Sequence, residues 1–360
     1  MFTSQAISPK TRRRGLRDLM LHFLATYGSG VHLSVLAPLP ANAELSAAKL
    51  PQRPSSAHSY RFVVNTPRPN VFLIGAMKSA TTYLGELLKA HPSIFVSAPK
   101  EPCYFVNPEV LRRVWPYAWS RGLWRSQDNY LSIFAGAGEA RIICEASTVY
   151  SRAPLYDGVP ERILAFNPNA RFVYIMRDPV ERTISHYWHM VNNHNEHRGM
   201  LAAIRADPQY TDTSHYFRQL QTYLKVVNRE RIYTMTYENL MSDRVARMAD
   251  LYRWLGVDPA VRPDAQLPAN ATPDVIEKAK GFGLLKRFRE SQFYSKLEPS
   301  IPKAVRRLGN KLAIQNIKPD EVPTTEVVRY LRSIQRPQTA NLSRLLGRNF
   351  PEWTTLYGED

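Results

Sequence analysis

The chain has 360 residues with an ordinary globular composition, 44% hydrophobic and 22% charged, which excludes wholesale disorder. Its two cysteines are too few for a disulfide scaffold or a thiolate zinc cluster, and no apolar run approaches the ~18 residues of a membrane-spanning helix. The net charge of +17 predicts attraction to polyanions: nucleic acid, anionic lipid, acidic sugars or phosphorylated cofactors.

The charge is concentrated in two segments. Residues 1–62 carry +6 and residues 278–318 carry +9, so the rest of the chain is nearly balanced. A solvated basic face explains such runs as well as a binding surface does. A nucleic-acid or anionic-membrane binder is therefore one alternative to an enzyme, although the aromatic residues of a known nucleic-acid module are not interleaved with the basic ones.

The first 68 residues predict a leader and linker. An arginine-rich run precedes a weakly apolar stretch at 19–39, and residues 40–44 (PANAE) have the small-x-small pattern of a signal-peptidase site. An export signal, a disordered leader and a wrongly assigned start all fit this pattern. Residues 51–69 are rich in Pro, Ser and His and indicate a linker. We expect residues 1–68 to be disordered or targeting, and residues 69–360 to form the folded domain.

The first element of that domain predicts an anion site. Residues 71–74 (VFLI) indicate a buried strand, a short loop follows, and apolar residues then recur at helical spacing until His91-Pro92. A helix N-terminus offers free N–H groups and a positive dipole to an anion. Lys78 adds a charge, and three hydroxyls stand beside it, those of Ser79, Thr81 and Thr82. This is more than the cap of an ordinary strand–helix turn needs.

The loop is not a Walker A motif. Counted from Gly75, the second glycine position holds Ala80 and the lysine position holds Thr81. A standard ATPase or GTPase is not expected. A kinase with an atypical loop is a second alternative, but it would need magnesium ligands, and no strand ending in Asp stands out.

A second strand predicts a second phosphate contact. Residues 170–176 (ARFVYIM) are followed by Arg177, then by Asp178 as a helix N-cap and Pro179 as the first helical residue. Ser185 lies two turns further and can face the same side. An Arg fork with a Ser hydroxyl suits a phosphate monoester at the carboxyl end of a strand.

The strands alternate with helices along the chain. Predicted strands occupy 71–74, 141–144, 172–176 and 231–236, and helices dominate after residue 244. This order predicts an α/β fold with a short parallel sheet.

Five segments resemble sulfotransferases that use 3′-phosphoadenosine 5′-phosphosulfate (PAPS). Residues 72–84 (FLIGAMKSATTYL) resemble their 5′-phosphosulfate loop, and residues 174–187 (YIMRDPVERTISHY) resemble their 3′-phosphate motif. Residues 99–105 (PKEPCYF) and 145–150 (EASTVY) are similar to segments of carbohydrate sulfotransferases of the heparan sulfate type and their bacterial relatives. Residues 342–353 are similar to the family's closing helix and tryptophan. The resemblance implies a three-layer, P-loop-like sulfotransferase fold with a short central parallel sheet flanked by helices.

The resemblance also implies a reaction: in-line transfer of a sulfuryl group from PAPS to a hydroxyl or amine, with release of PAP and no required metal. Lys78 would stabilise charge on the leaving oxygen, and Glu101 would be the general base, with His91 as a competing base. Lys100 and Glu145 would face the acceptor. The residues implied for the nucleotide are Lys78, Ser79, Ala80, Thr81, Thr82, Arg177 and Ser185. Two departures are that Ala80 replaces a usual glycine and that the Cys-flanked cofactor loop of the heparan-type enzymes is missing.

No metal site is predicted. The pairs His186/His189 and His194/His197 are spaced i,i+3 and favour a polar helix face. The expected acceptor is a glycan, a glycolipid or another small polar molecule. We expect no nucleic-acid partner and no integral membrane span, and a protein of the cytoplasm or of a membrane periphery.

Overall fold

The structure is a computed structural model that describes residues 67–194, 196–263, 276–279, 314–322 and 324–359. The expected leader and linker, except residues 67 and 68, and most of the basic segment 278–318 lie outside these described residues.

A five-stranded parallel sheet forms the centre of the fold, in the order β2-β3-β1-β4-β5. Val71 at the start of the first strand is paired with Cys144 on one side and with Arg171 on the other. Parallel strands all point their carboxyl ends to one edge, so the loops that follow β1, β3 and β4 meet there. The strands are β1 (Val71–Gly75), β2 (Ile94–Val96), β3 (Ile142–Ala146), β4 (Arg171–Met176) and β5 (Ile232–Thr236).

Helices cover the sheet. Those before β4 are α1 (Thr81–Lys89), α2 (Pro108–Val114), α3 (Pro116–Ser120), α4 (Gln127–Leu131) and α5 (Val159–Phe166). Those between β4 and residue 255 are α6 (Pro179–His194), α7 (Met200–Ala206), α8 (Gln209–Asp212), α9 (Tyr216–Leu224), α10 (Tyr237–Ser242) and α11 (Arg244–Leu255). Near the C-terminus lie α12 (Thr325–Leu346) and α13 (Thr354–Tyr357), and an antiparallel pair joins β6 (Ile276–Ala279) to β7 (Ile314–Ile317). Short 3₁₀ turns occupy Ser132–Ala137, Thr148–Ser151, Arg229–Arg231 and Pro319–Glu321.

The two faces of the sheet bury two separate cores. Alternate residues of a strand point to opposite faces. Phe72 and Ile74 therefore pack in one core, while Val71 and Leu73 pack in the other, against Leu84 and its neighbours on α1. All five residues of β1 are buried. Helices on both faces of a parallel sheet confirm the predicted three-layer α/β fold.

The strand predictions differ from the structure mainly at their ends. The predicted strand 141–144 begins at Ile142 and continues to Ala146, because Glu145 is a buried strand residue despite its charge. The strand β2 was not predicted, since it has only three residues and two of them are half-buried. The pair β6–β7 was not predicted either.

The C-terminal segment closes over the sheet edge. The closing helix, predicted from residue 342 onward, is longer in the structure: α12 begins at Thr325 and ends at Leu346. Trp353 follows it outside any helix, fully buried, and its indole Nε1 donates to Glu238 Oε2 at 3.1 Å. No helix in the described part of the chain is both long and apolar enough to cross a bilayer.

Candidate active site

A cleft of about 970 Å³ opens at the carboxyl edge of the sheet. The loops after β1, β3 and β4 contribute to its wall through Lys78, Thr148 and Arg177. The structure brings eight of the ten predicted site residues to this one cleft: Lys78, Ala80, Thr81, Thr82, Lys100, Glu101, Arg177 and Ser185.

The loop after β1 has an unusual backbone. Gly75 has φ +143°, and a Cβ there would lie 2.1 Å from Ser151 Oγ, so only glycine fits. Lys78 and Ala80 both occupy the left-handed region, with φ of 67° and 60°. The left-handed conformation of Ala80 explains why related loops use glycine at this position. For a non-glycine residue, such a conformation costs about 1–2 kcal/mol.

The start of α1 is arranged for an anion. The helix begins at Thr81, and its first N–H groups have no partner inside the helix, as at any helix start; here no side chain caps them either. Lys100 Nζ donates to Thr81 Oγ1 at 2.8 Å and to Thr82 Oγ1 at 3.0 Å, which adds a second cation to this loop. The hydroxyl of Ser79 is buried and has no hydrogen-bond partner among the described residues. A phosphate group fits this set of donors.

Lys78 lies in a strongly positive environment. Burial lowers the pKa of Lys78, and the charges of Arg177 and Arg182 lower it further. Arg182 is itself fully buried in the same region, where its guanidinium donates to Ser214 Oγ and to the Tyr210 carbonyl. A lysine of lowered pKa gives up a proton more readily than an ordinary one. The loop therefore offers Lys78 as a charge or proton donor.

The turn after β4 forms the opposite wall. The Arg177 guanidinium lies 5.1 Å from the centre of the Tyr237 ring and 3.4 Å from Glu181 Oε2. Asp178 is the N-cap of α6, as predicted: its Oδ1 accepts from Val180 N at 2.9 Å and from Glu181 N at 3.3 Å. Ser185 lines the same wall. The strand end thus presents Arg177, and α6 presents the hydroxyl.

Glu101 is held at the cleft by a set of backbone contacts. It has a left-handed φ of 60°, and Arg121 donates to its carbonyl oxygen and to that of Lys100. Its carboxylate accepts from Thr148 N at 2.8 Å and from Thr148 Oγ1 at 3.0 Å, and Lys100 Nζ lies 3.9 Å away. Burial raises the pKa of Glu101, which Lys100 and Thr148 partly oppose. A fixed carboxylate of raised pKa is suited to accept a proton.

Three of the named residues do not line the cleft. Ser79 is buried within the loop. Glu145 is fully buried under the sheet edge, where its carboxylate accepts from Tyr130 at 2.6 Å, Ser147 at 2.7 Å and Tyr150 at 3.2 Å. His91 is also buried, with Nδ1 accepting from Ser93 N and Nε2 facing the Asp258 carbonyl oxygen. Neither Glu145 nor His91 lines the cleft, and both are held by hydrogen bonds inside the fold.

The histidines of α6 line the cleft, although the sequence favoured a polar helix face. That prediction is wrong for His186, which is 2% exposed. His189 and His194 also line the wall. The spacing of four residues between Ser185 and His189 puts both on one side of a helix, and this signal could have identified His189.

The hydrogen bonds of Asn193 fix the proton position on His189. Its Nδ2 atom donates to the His189 carbonyl oxygen at 3.1 Å, which identifies this atom as the amide nitrogen. The same nitrogen lies 3.1 Å from His189 Nδ1, which must therefore accept. Burial, followed by the Lys78 charge, lowers the pKa of His189 to about 4. At neutral pH His189 is thus uncharged with its proton on Nε2.

Sequence reasoning also missed residues further along the wall. Trp115 and Trp188 contribute apolar surface, and Arg152 and Gln209 contribute polar groups. No local pattern marks these positions, because they come from four separate segments that only the fold brings together.

Comparison with known proteins agrees with this geometry. Residues 69–260 match the model of the sulfotransferase family. The chain is 33% identical over 119 residues to the membrane-associated sulfotransferase kil1 of Dictyostelium discoideum, an alignment covering 33% of this chain and 22% of that protein. It is 24% identical over 205 residues to heparan sulfate glucosamine 3-O-sulfotransferase 5 of Mus musculus, covering 54% of this chain and 55% of the relative.

A solved structure shares the fold. A sulfotransferase from Alicyclobacillus acidocaldarius superimposes with a TM-score of 0.58 at 24% identity, covering 80% of this chain and 99% of that one. This chain covers only about a fifth of the length of kil1 and about half of the length of the mouse 3-O-sulfotransferase.

Proposed function

The chain belongs to the sulfotransferase family, and from this premise we propose that it transfers a sulfuryl group from PAPS to a hydroxyl or amine of a polar acceptor. The observation that carries the proposal is the meeting of three predicted elements in one cleft. These are the loop with Lys78, the turn with Arg177 and Ser185, and the carboxylate of Glu101. Residues 69–360 would form the catalytic domain.

The nucleotide would be held by the two walls. The free N–H groups at the start of α1, Lys78 and the hydroxyls of Thr81 and Thr82 suit the 5′ side. Arg177 and Ser185 suit the 3′-phosphate, because an Arg fork and a hydroxyl together satisfy a phosphate monoester. Ser79 lies in the same loop, but its buried hydroxyl, which has no partner among the described residues, is not part of the cleft lining. The donors in the cleft therefore fit PAPS.

When bound, PAPS supplies the sulfuryl group, and the protein supplies protons, charge and position. Glu101 takes the proton of the acceptor hydroxyl or amine. Contacts from Thr148 to its carboxylate and from Arg121 to its backbone hold Glu101 in position for this step. Lys78 places positive charge where the leaving oxygen becomes negative. The Nε2–H of His189 is available as an uncharged donor toward the transferred group.

For the acceptor we propose the glycan class, with a glycolipid or another small polar molecule as further members. The resemblance of residues 99–105 to carbohydrate sulfotransferases supports this class, and one relative is by name a heparan sulfate sulfotransferase. We place the enzyme in the cytoplasm or at the periphery of a membrane. The family assignment disfavours the nucleic-acid binder and the atypical kinase.

The proposal is tested by label transfer. The purified protein is incubated with [³⁵S]PAPS and a pool of neutral and acidic glycans, and labelled glycan and PAP are both quantified. We expect equal amounts of the two products, and loss of both in Lys78→Ala. Lys89→Ala is the control, because Lys89 is exposed at the far end of the same helix. PAPS that is neither bound nor consumed would refute the proposal.

A further inference from the structure

Arg152 is a cleft cation without an anionic partner in the described chain. Its Nη2 atom donates to Gln209 Oε1 at 2.5 Å. The guanidinium carbon Cζ lies over the Tyr156 ring, 5.8 Å from the ring centre. Its Nε atom is buried and has no hydrogen-bond partner among the described residues. Asp207, a carboxylate in the same wall, instead accepts from Gln209 N at 2.9 Å.

Arg152 is half-buried in the cleft wall, but a guanidinium whose Nε is buried without a hydrogen-bond partner is costly for a protein to keep. Arginine stays charged at any physiological pH, so it cannot escape the desolvation penalty by losing its proton. Burial lowers the pKa of Arg152, and the charges of Glu101 and Asp207 act in the opposite direction without forming an ion pair. A molecule that enters the cleft can supply the missing partner.

The position of Arg152 indicates which molecule this is. The Lys78 loop and the Arg177 turn already supply cations for the two ends of a nucleotide. Arg152 instead follows the short turn that holds Thr148, the residue that binds the Glu101 carboxylate. The charge of Glu101 also acts on Arg152. Arg152 therefore lies on the side of the cleft where Glu101 would remove the proton of the acceptor.

We propose that Arg152 is a specificity-determining residue that pairs with an anionic group of the acceptor, a carboxylate or a sulfate ester, near the group that is sulfated. The proposal rests on the function proposed above and narrows it. The Nε–H of Arg152 and its remaining N–H groups can bind two oxygens of such a group at once, while Gln209 accepts a hydrogen bond from the other side of the guanidinium. Uncharged acceptors leave this fork unpaired and are bound more weakly.

Four forms of one polymer provide the test. Chondroitin carries only carboxylates, and chondroitin sulfate carries both carboxylates and sulfates. Reduction of the carboxyl groups turns chondroitin into a neutral polymer and chondroitin sulfate into a polymer that carries only sulfates. The same carboxylated and reduced pair is made from heparosan. Transfer from [³⁵S]PAPS is measured for the wild type, Arg152→Gln, Arg152→Lys and the control Arg125→Gln, which alters an exposed arginine outside the cleft.

We expect wild-type kcat/KM to be about 10–100 times higher for charged forms than for the neutral form, as for a charge-assisted hydrogen bond. Arg152→Gln should abolish that preference, Arg152→Lys should retain part of it, and Arg125→Gln should leave it intact. Comparison of the carboxylate-only and sulfate-only polymers identifies which group is bound.

Titration with PAP separates failure of this inference from failure of the proposed function. A protein that binds PAP but labels neutral polymer as well as charged polymer, or labels no charged polymer, overturns only the role of Arg152. The same holds if Arg152→Gln weakens PAP binding as much as it weakens use of the acceptor, because Arg152 would then contact the nucleotide. A protein that does not bind PAP overturns the proposed function itself.

Discussion

Glu101, the proposed general base, is a carboxylate held in place by contacts from several segments. Its left-handed backbone, the Arg121 contacts to the chain and the two bonds from Thr148 hold it in one place. Burial raises its pKa and the adjacent Lys100 lowers it, so the protonation state depends on a balance between the two. The sequence identified Glu101 only through a resemblance, since no spacing rule reveals a loop carboxylate held by distant residues.

The first prediction uses this balance. A general base must be ionised, so turnover should rise with pH through the raised pKa of Glu101. Lys100→Met removes a charge that lowers this pKa, and the acid limb of the kcat profile should therefore move to higher pH. Glu101→Gln should lose the limb and about 10²–10⁴ in kcat, the usual contribution of general-base catalysis. A limb that stays in place in Lys100→Met would remove Glu101 as its origin.

Glu145 allows a second prediction, on stability. Burial raises its pKa to about 7 from an ordinary value of 4.5. The folded state then binds this proton more tightly than the unfolded state, so the stabilisation is complete below the unfolded pKa and is lost as pH rises through 7. Between pH 5 and pH 8, the free energy of unfolding of the wild type should fall by on the order of 2 kcal/mol relative to that of Glu145→Gln.

Urea unfolding of both proteins at the two pH values measures this difference. A comparison between the two proteins cancels the titration of the buried histidines, which is common to both. Parallel pH dependence in wild type and variant would show that Glu145 keeps an ordinary pKa.

At the scale of elements, two strand–helix turns form the walls of the cleft that we propose for the nucleotide. The sequence predicted both turns, because a run of apolar residues precedes each of them. The first loop also carries more polar residues than capping needs, and Arg177 and Ser185 gained their meaning from the pairing with that loop. The sequence did not predict that histidines of α6 line the cleft, although the spacing of Ser185 and His189 was a usable signal for His189. No local pattern marks Arg152, whose position in the cleft wall is determined by tertiary packing.

The third prediction concerns the turn after β4. Arg177→Gln should weaken PAP binding by about 10–100-fold, because a charge-assisted contact to the 3′-phosphate is lost. Adenosine 5′-phosphosulfate, which lacks that phosphate, should bind the variant and the wild type almost equally. Ser185→Ala should show the same selectivity with a smaller loss. Calorimetric titration of both nucleotides provides the comparison.

Arg253→Gln is the matched control for this experiment, since Arg253 is an exposed arginine on α11 that forms a surface ion pair with Asp250. If both nucleotides are weakened equally by Arg177→Gln, then Arg177 does not bind the 3′-phosphate.

At the scale of the whole molecule, the C-terminal segment supports the cleft from outside. Trp353 donates to Glu238, Glu238 accepts from Asp178 N at 2.8 Å, and Asp178 Oδ2 accepts from Leu356 N at 2.8 Å. The turn that presents Arg177 is therefore tied to residues more than 170 positions away. The sequence indicated the tryptophan by resemblance, but not this connection.

The fourth prediction follows from that connection. Trp353→Ala should lower the free energy of unfolding by about 3–5 kcal/mol, because it empties a fully buried site. PAP binding should weaken as well, since the Asp178 turn loses its support. Tyr357→Ala is the control, because that side chain is 47% exposed in the same segment. Unfolding in urea and PAP titration together test it, and unchanged PAP affinity in a folded Trp353→Ala protein would contradict the link.

The central claim is that the cleft is a PAPS site, and competition between nucleotides tests it most directly. Calorimetric titration of the full chain with PAP, ATP and adenosine 5′-phosphosulfate measures all three affinities under one condition. The account predicts that PAP binds most tightly, that ATP binds at least about 10-fold more weakly because it lacks the 3′-phosphate, and that Lys78→Ala weakens PAP binding. Equal or tighter binding of ATP, or PAP binding that is indifferent to Lys78, would contradict it.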